Sequence, residues 1–158
     1  MNKKTKKWFV VLTIITILII FILRLYRNST QIPTSQDLNS IVLIDVVDNQ
    51  GVKKITICEK SDINMFLDIL KDSEKTDKDS TSDVPDKKEF TIIAFEHLKG
   101  GYSLNSIYKD NHGMYFEQPY HGIFKLESSE VQTVDKIRTK GHEKNILIPI
   151  KDILKENF

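Results

Sequence analysis

The sequence has a single cysteine, Cys58, among its 158 residues. One cysteine excludes an intramolecular disulfide, so the folded part must be held together by its apolar core. A lone cysteine is more often a small packing residue than a reactive one, and we interpret Cys58 as packed at the end of a strand.

Acidic side chains are absent from residues 1–27, which carry six bases. The remaining 131 residues hold all 22 acids and 17 bases, a net charge of −5 for that part. No clustered basic face is apparent in this acidic part, so a nucleic-acid partner is not expected.

Catalytic signatures are also missing. The sequence has no G-x-S-x-G, H-E-x-x-H or C-x-x-C motif and no glycine-rich phosphate loop. Its histidines, His97, His112, His121 and His142, are scattered. We therefore predict no cofactor, no metal, no catalytic residue and no enzyme activity. The alternative is an acid–base pair of Glu117 and His121, four residues apart.

The longest apolar run covers residues 8–23, sixteen residues without a charge. Extended to Tyr26 it has nineteen residues, enough to approach a hydrocarbon core of about 30 Å. Trp8 and Tyr26 suit the two interfaces, and Arg24 can reach outward. The run ends without the small residues of a signal-peptidase site, so we predict an uncleaved anchor at residues 8–26.

The anchor divides the chain into four parts. Lysines dominate residues 1–7, and the positive-inside bias places this basic head in the cytoplasm. We predict a single-pass protein of the cell membrane, with a tether at residues 27–39 and one domain outside the cell at residues 40–158.

The start of the outer domain has a strand pattern. β-Branched runs at residues 41–47 and 52–58 flank Asp-Asn-Gln-Gly, which predicts a hairpin whose turn uses Gly51 at positive φ. Ser61 is expected to cap the helix that follows. The apolar stripe of this helix is Ile63, Phe66, Leu67 and Leu70.

Residues 71–88 are almost entirely polar and predict an exposed, mobile loop, with a short edge strand at residues 76–80 as the alternative. Strands return at residues 90–96, 102–109 and 114–117, and residues 120–126 are interpreted as a continuation of the last one.

A helix is expected to begin at Ser129, with Gln132 completing a capping box, and to end at Gly141. An apolar extended segment at residues 145–150 and a last helical turn at residues 152–158 complete the chain. Short links between strands favour an antiparallel meander. The predicted fold class is α+β, one antiparallel sheet with two helices on one face.

The densest feature of the domain is the aromatic stretch at residues 115–124. Proline and glycine interrupt it, which either re-aims side chains for binding or bends the strand at a sheet corner. We favour the corner, with Tyr120 buried. The candidate binding patch consists of Tyr115, Glu117, Pro119, Tyr120 and Gly122.

The sequence Tyr-Phe-Glu-Gln-Pro-Tyr-His-Gly-Ile-Phe-Lys-Leu at residues 115–126 resembles a block of a known family. This is a domain-of-unknown-function family of short, membrane-anchored proteins from Gram-positive bacteria. Thr76, Ser80, Asp83 and Pro85 are similar to its second block. The resemblance implies this architecture and location, and implies no activity, substrate or catalytic residue.

These observations favour a non-catalytic binding or regulatory module of the cell envelope, whose partner is an envelope protein or a wall component. Two other functions are compatible with the same sequence. One is an anchored envelope hydrolase that uses Glu117 and His121, and the other is an accessory subunit that joins a membrane complex through its anchor helix.

Overall fold

The computed structural model describes residues 8, 11–20 and 30–156. Residues 11–20 are helical. The basic head at residues 1–7 and the end of the predicted anchor at residues 21–26 lie outside the described residues. Among the described residues, no helix is both long and apolar enough to cross a membrane.

The domain alternates strands and helices after a short 3-10 turn at Ser35–Asp37. Its strands are β1 Leu38–Val47, β2 Gln50–Ile57, β3 Glu74–Lys75, β4 Glu89–His97, β5 Tyr102–Asp110, β6 Gly113–Gln118, β7 Gly122–Leu126 and β8 His142–Pro149. Its helices are α1 Lys60–Asp72, α2 Ser128–Lys140 and α3 Ile150–Glu156. This confirms the predicted mixed α+β class.

The eight strands found in the described residues form one antiparallel sheet in the order β3-β7-β6-β5-β4-β1-β2-β8. The predicted meander is confirmed as β4 to β7, and the predicted hairpin as β1 and β2. Helix α2 links β7, near one edge, to β8 at the other edge, so the chain must cross the sheet between them.

Alternate strand residues point to opposite faces, and each face buries its own apolar cluster. The first face carries Ile41, Leu43 and Phe95 and packs against α1 and α2. The stripe predicted for α1, from Ile63 to Leu70, lies in this cluster. The second face carries Val42, Ile44 and Ile92 and packs against Ile153 of α3. The prediction of two helices on one face is therefore right for α1 and α2. Helix α3 lies on the opposite face of the sheet.

The turn between β1 and β2 differs from the predicted one. Asp48 and Asn49 have the positive φ angles, 47° and 65°, and Gly51 is already within β2. Two consecutive left-handed residues are the feature of the type I′ hairpin turn, in which Asp and Asn are tolerated. The Gly51 prediction was wrong because this turn needs only two residues.

The predicted N-terminal helix caps were also wrong, whereas Gly141 ends α2 as predicted. Helix α1 begins at Lys60 after Glu59, which makes no side-chain cap. Helix α2 begins at Ser128, and its capping box joins Glu127 to Glu130. Glutamate replaces the expected serine in this box because its carboxylate accepts the same backbone N–H.

Residues 76–88 form an irregular and mostly exposed loop, as predicted, but the loop is attached to the second face of the sheet. Ser80 and Pro85 are buried, and Val84 packs against the second-face cluster. The edge strand covers Glu74–Lys75 rather than residues 76–80. We call residues 76–88 the covering segment.

Candidate functional site

The predicted binding patch does not form one surface. Tyr115 and Glu117 lie on the second face of β6 and are 4% and 6% exposed. Gly122 is buried as well, and of the five patch residues only Pro119 and Tyr120 reach solvent. The covering segment lies over Tyr115 and Glu117.

Polar contacts hold the covering segment on this face. The Ser80 hydroxyl donates to Glu117 Oε1 at 2.7 Å. Lys78 Nζ stands 4.9 Å from the centroid of the Tyr115 ring, and Lys87 Nζ stands 5.3 Å from that of Tyr108. Both lysines therefore make cation–π contacts on a stacked tyrosine pair whose centroids are 5.7 Å apart. The polar composition of the segment hid these contacts from sequence reasoning.

Proline and glycine in the aromatic stretch make a hairpin turn, not a corner. The expected continuation of one strand was wrong, because residues 119–121 reverse the chain and β7 pairs antiparallel with β6. The His121 N–H donates to the Gln118 carbonyl at 3.1 Å. Pro119 occupies the second turn position, which its fixed φ favours, and Tyr120 the third with φ 59°.

Tyr120 departs from its expected burial. Its side chain is 69% exposed at the tip of this turn. A hydrogen bond with Asp83, and the charge of that carboxylate, raise the pKa of Tyr120. A bulky side chain at positive φ is strained, and such strain is most frequent at functional positions.

Glu117 and His121 do not converge. Glu117 pairs with Ile123 of β7 across the two strands, and Ile123 belongs to the second-face cluster, so Glu117 is on the second face of the sheet. The His121 ring instead stacks on Phe124, with centroids 6.1 Å apart, and Phe124 belongs to the first-face cluster. An acid–base pair needs both groups within hydrogen-bond reach of one substrate, and these two residues lie on opposite faces.

A cleft on the first face was missed by sequence reasoning. It has a volume of about 460 Å³ and lies between the sheet and both long helices. Its apolar walls include Leu43 and Ile107 of the sheet, Phe66 of α1 and Val134 of α2. Ligand sites are commonly concave and mainly apolar with a few fixed polar groups, and this cleft has that character.

Asp45, Thr91 and Arg138 are the fixed polar groups of the cleft. Arg138 Nη2 donates to both carboxylate oxygens of Asp45, at 2.7 and 2.6 Å. Thr91 Oγ1 donates to Asp45 Oδ1 at 2.7 Å and accepts from Arg138 Nη1 at 3.2 Å. The side chains of Arg138 and Asp45 are 24% and 23% exposed, so a ligand can reach the pair.

The sequence did contain a signal for this site. Asp45 is the one charge within the apolar run at residues 41–47, and it lines the first face with Leu43. Arg138 lies four residues after the buried Val134, on the inward side of α2. Asp45 and Arg138 are 93 residues apart, so their pairing was not visible in the sequence.

Burial shapes the electrostatics of the second face. It raises the pKa of Tyr108 from 10.0 to about 12, and the charges of Glu117 and Asp110 act in the same direction. The pKa of Asp110 is lowered, first by the hydrogen bond from the His112 backbone N–H and then by Lys78. Among the described residues, no group of three or more His, Cys, Asp or Glu side chains is arranged to hold a metal ion.

Comparison with family models matches residues 27–125 to DUF5301, a "Domain of unknown function (DUF5300)". The chain belongs to this family. The DUF5301 match includes the aromatic stretch and most of the sheet and ends at Lys125, so Arg138 and the whole of α2 lie beyond it. A search of curated proteins found no match to the chain.

The DUF5301 domain is similar in fold to a solved structure, described as "NMR structure of the protein from Ruminococcus gnavus". The two chains are 25% identical with a TM-score of 0.52. The similarity covers 63% of this chain and 93% of the other.

Proposed function

We propose that this DUF5301 protein is a membrane-anchored, non-catalytic binding module of the cell envelope, and that its ligand binds in the first-face cleft. The cleft is the observation that carries the proposal. It combines apolar walls with the Asp45–Arg138 pair, whose partly exposed carboxylate and guanidinium accept and donate hydrogen bonds at one place. A peptide segment of an envelope protein or of the wall has both kinds of group.

Support for the anchor comes from the helical residues 11–20. Their eight large apolar side chains are between 49% and 62% exposed. A helix that is apolar all round has no face suited to water, so it requires an apolar surrounding. The bilayer supplies one, and the basic head before the helix favours a cytoplasmic N-terminus.

Topology is tested by reporter fusions after Phe158. We expect activity from a reporter that functions only outside the cytoplasm and none from one that functions only inside. The opposite result would contradict the orientation.

Binding is tested by a photo-crosslinking residue at one of two positions in the full-length protein in its own membrane. Val47 lines the cleft and is 38% exposed, whereas Met65 is 45% exposed and is not among the cleft residues. We expect a specific adduct from position 47 that Arg138→Met removes, and no such adduct from position 65. Equal adducts from both positions would contradict the cleft as the binding site.

An anchored hydrolase has less support, because Glu117 and His121 face opposite sides of the sheet. An accessory subunit that binds through its anchor helix is a separate outcome. In that case crosslinks would form from residues 11–20 and survive Arg138→Met.

A further inference from the structure

The chain that leads from the predicted anchor is fixed to the domain by Gln118. Its side-chain amide binds both backbone groups of Gln31, accepting from the N–H at 2.8 Å and donating to the carbonyl at 2.9 Å. The same amide nitrogen donates to Asn105 Oδ1 at 3.3 Å. Ile32 packs on the first-face cluster. Residues 31–32 are therefore part of the domain surface and not a free linker.

This attachment is at one end of the sheet, which we call the proximal end. It comprises the turn at residues 98–101, the turn at residues 119–121, and Cys58 directly after β2. The Leu98 N–H donates to the Asp37 carbonyl at 2.8 Å, which places the start of β1 here as well. The turns at residues 48–49 and 111–112 form the distal end, and β5 separates the two ends by roughly 26 Å.

The length of chain between the anchor and Gln31 limits where the domain can lie. Five Cα–Cα steps connect Tyr26 to Gln31, a span of at most about 18 Å. Because Gln31 is at the proximal end, that end must stay within this distance of the membrane interface.

Two exposed apolar side chains occupy the tips of the proximal turns. Leu98 is 56% exposed and Tyr120 is 69% exposed. Tyrosine is favoured at the headgroup level, where its ring is apolar and its hydroxyl is solvated. We propose that the proximal end rests on the bilayer surface, with Leu98 and Tyr120 in the headgroup region, so that the far end of the sheet, which carries Val47, points away from the membrane.

This inference rests on the proposed anchor, and the experiment is designed so that failure of the anchor and failure of the orientation give different results. The full-length protein is reconstituted in phosphatidylcholine vesicles that carry a quencher on the lipid headgroup. One sample carries a fluorophore on Cys58, the native cysteine, which is exposed and not packed as the sequence suggested. The matched sample carries it at Asn111→Cys, in the exposed distal turn, with Cys58→Ser. We expect several-fold stronger quenching at position 58 than at position 111.

Flotation of the vesicles decides between the possible failures. A chain that does not float with the vesicles overturns the anchor and this inference together. A chain that floats but is quenched equally at both positions, or more strongly at position 111, overturns the orientation and leaves the anchor intact.

Two variants test whether the attachment of Gln31 and the exposed side chains of Leu98 and Tyr120 cause this orientation. Gln118→Met keeps the side-chain volume but removes both hydrogen bonds to Gln31, and we expect it to reduce the difference between positions 58 and 111. The double variant Leu98→Ser, Tyr120→Ser leaves the attachment intact and should weaken the quenching at position 58. A large, unchanged difference in both variants would overturn the proposed contact. Circular dichroism of each variant confirms that the domain is folded.

Discussion

Arg138 on α2 binds both carboxylate oxygens of Asp45 on β1, with Nη2–oxygen distances of 2.7 and 2.6 Å. The pair joins the helix that lies beyond the DUF5301 match to a central strand within it. It also fixes the polar part of the cleft, so its removal affects both stability and the proposed binding.

The first prediction concerns this pair. Asp45→Ala leaves the guanidinium with little exposure and without its carboxylate, and we expect a loss of about 2–3 kcal/mol in the free energy of unfolding. Arg138→Lys should not preserve the pair, because an ammonium lacks the planar fork. Urea denaturation measures both variants.

Lys53 and Glu143 provide the control for that measurement. Their 2.9 Å ion pair is more exposed, at 35% and 54%. Lys53→Ala should cost less than about 1 kcal/mol. An equal loss in Asp45→Ala and Lys53→Ala would contradict a structural role for the Asp45–Arg138 pair.

The second prediction concerns pH. The pKa of Tyr108 is raised to about 12, so the folded state favours the neutral phenol. The contribution of this residue to stability is complete below pH 10.0, its ordinary value, and is lost as the pH rises towards about 12. Titration of tyrosinate absorbance should show a late ionisation that is lost in Tyr108→Phe but retained in Tyr120→Phe, since the pKa of Tyr120 is raised by Asp83 and not by burial in this cluster.

Glu117→Gln separates charge from burial in that titration. It removes the nearby negative charge while keeping an oxygen that accepts from Ser80, so the pKa of Tyr108 should fall partway towards 10.0. Glu143→Gln, on the exposed edge strand β8, should leave it unchanged. A late ionisation that survives Tyr108→Phe would assign it to another residue.

The third prediction concerns Gly51. A Cβ at this position would lie 2.6 Å from Cδ1 of Ile153 and 3.2 Å from Cγ2 of Ile44. The end of the Ile153 side chain must move to accept this Cβ, so Gly51→Ala should loosen the packing of α3 and cost about 1 kcal/mol, at the low end of overpacking. Hydrogen exchange should show faster exchange in α3, with α1 unaffected. The neighbouring Gln50→Ala, at an exposed position, is the control, and equal exchange in both variants would contradict the close packing.

The fourth prediction compares two aromatic residues of one hairpin. Tyr120→Ala should change the free energy of unfolding by less than about 1 kcal/mol, because the ring is mostly exposed. Phe124→Ala, at a fully buried position, should cost about 3–5 kcal/mol. Tyr120→Gly should be more stable than Tyr120→Ala by up to about 1 kcal/mol, since glycine adopts positive φ without strain. A thermal melt of each variant measures the three effects, and a Tyr120→Ala loss as large as that of Phe124→Ala would contradict the exposed turn.

Local patterns in the sequence determined the elements of the domain. The β-branched apolar runs at residues 41–47 and 52–58 predicted β1 and β2, and the stripe from Ile63 to Leu70 predicted the buried side of α1. Such periodicity reports which side chains leave water, and that depends mainly on neighbours within a few residues.

Only the tertiary structure decided which surfaces exist. Residues 76–88 look like a solvated loop by composition, yet Ser80 bonds Glu117 and two lysines stand on tyrosine rings, contacts that span up to 37 residues. Asp45 and Arg138 likewise become a site only when α2 crosses the sheet. Hydrophobic burial near each residue is encoded locally, whereas the pairing of distant polar groups depends on strand order and on which face each helix covers. That is why the sequence determined the layers of this protein, and the assembled sheet determined where a ligand can bind.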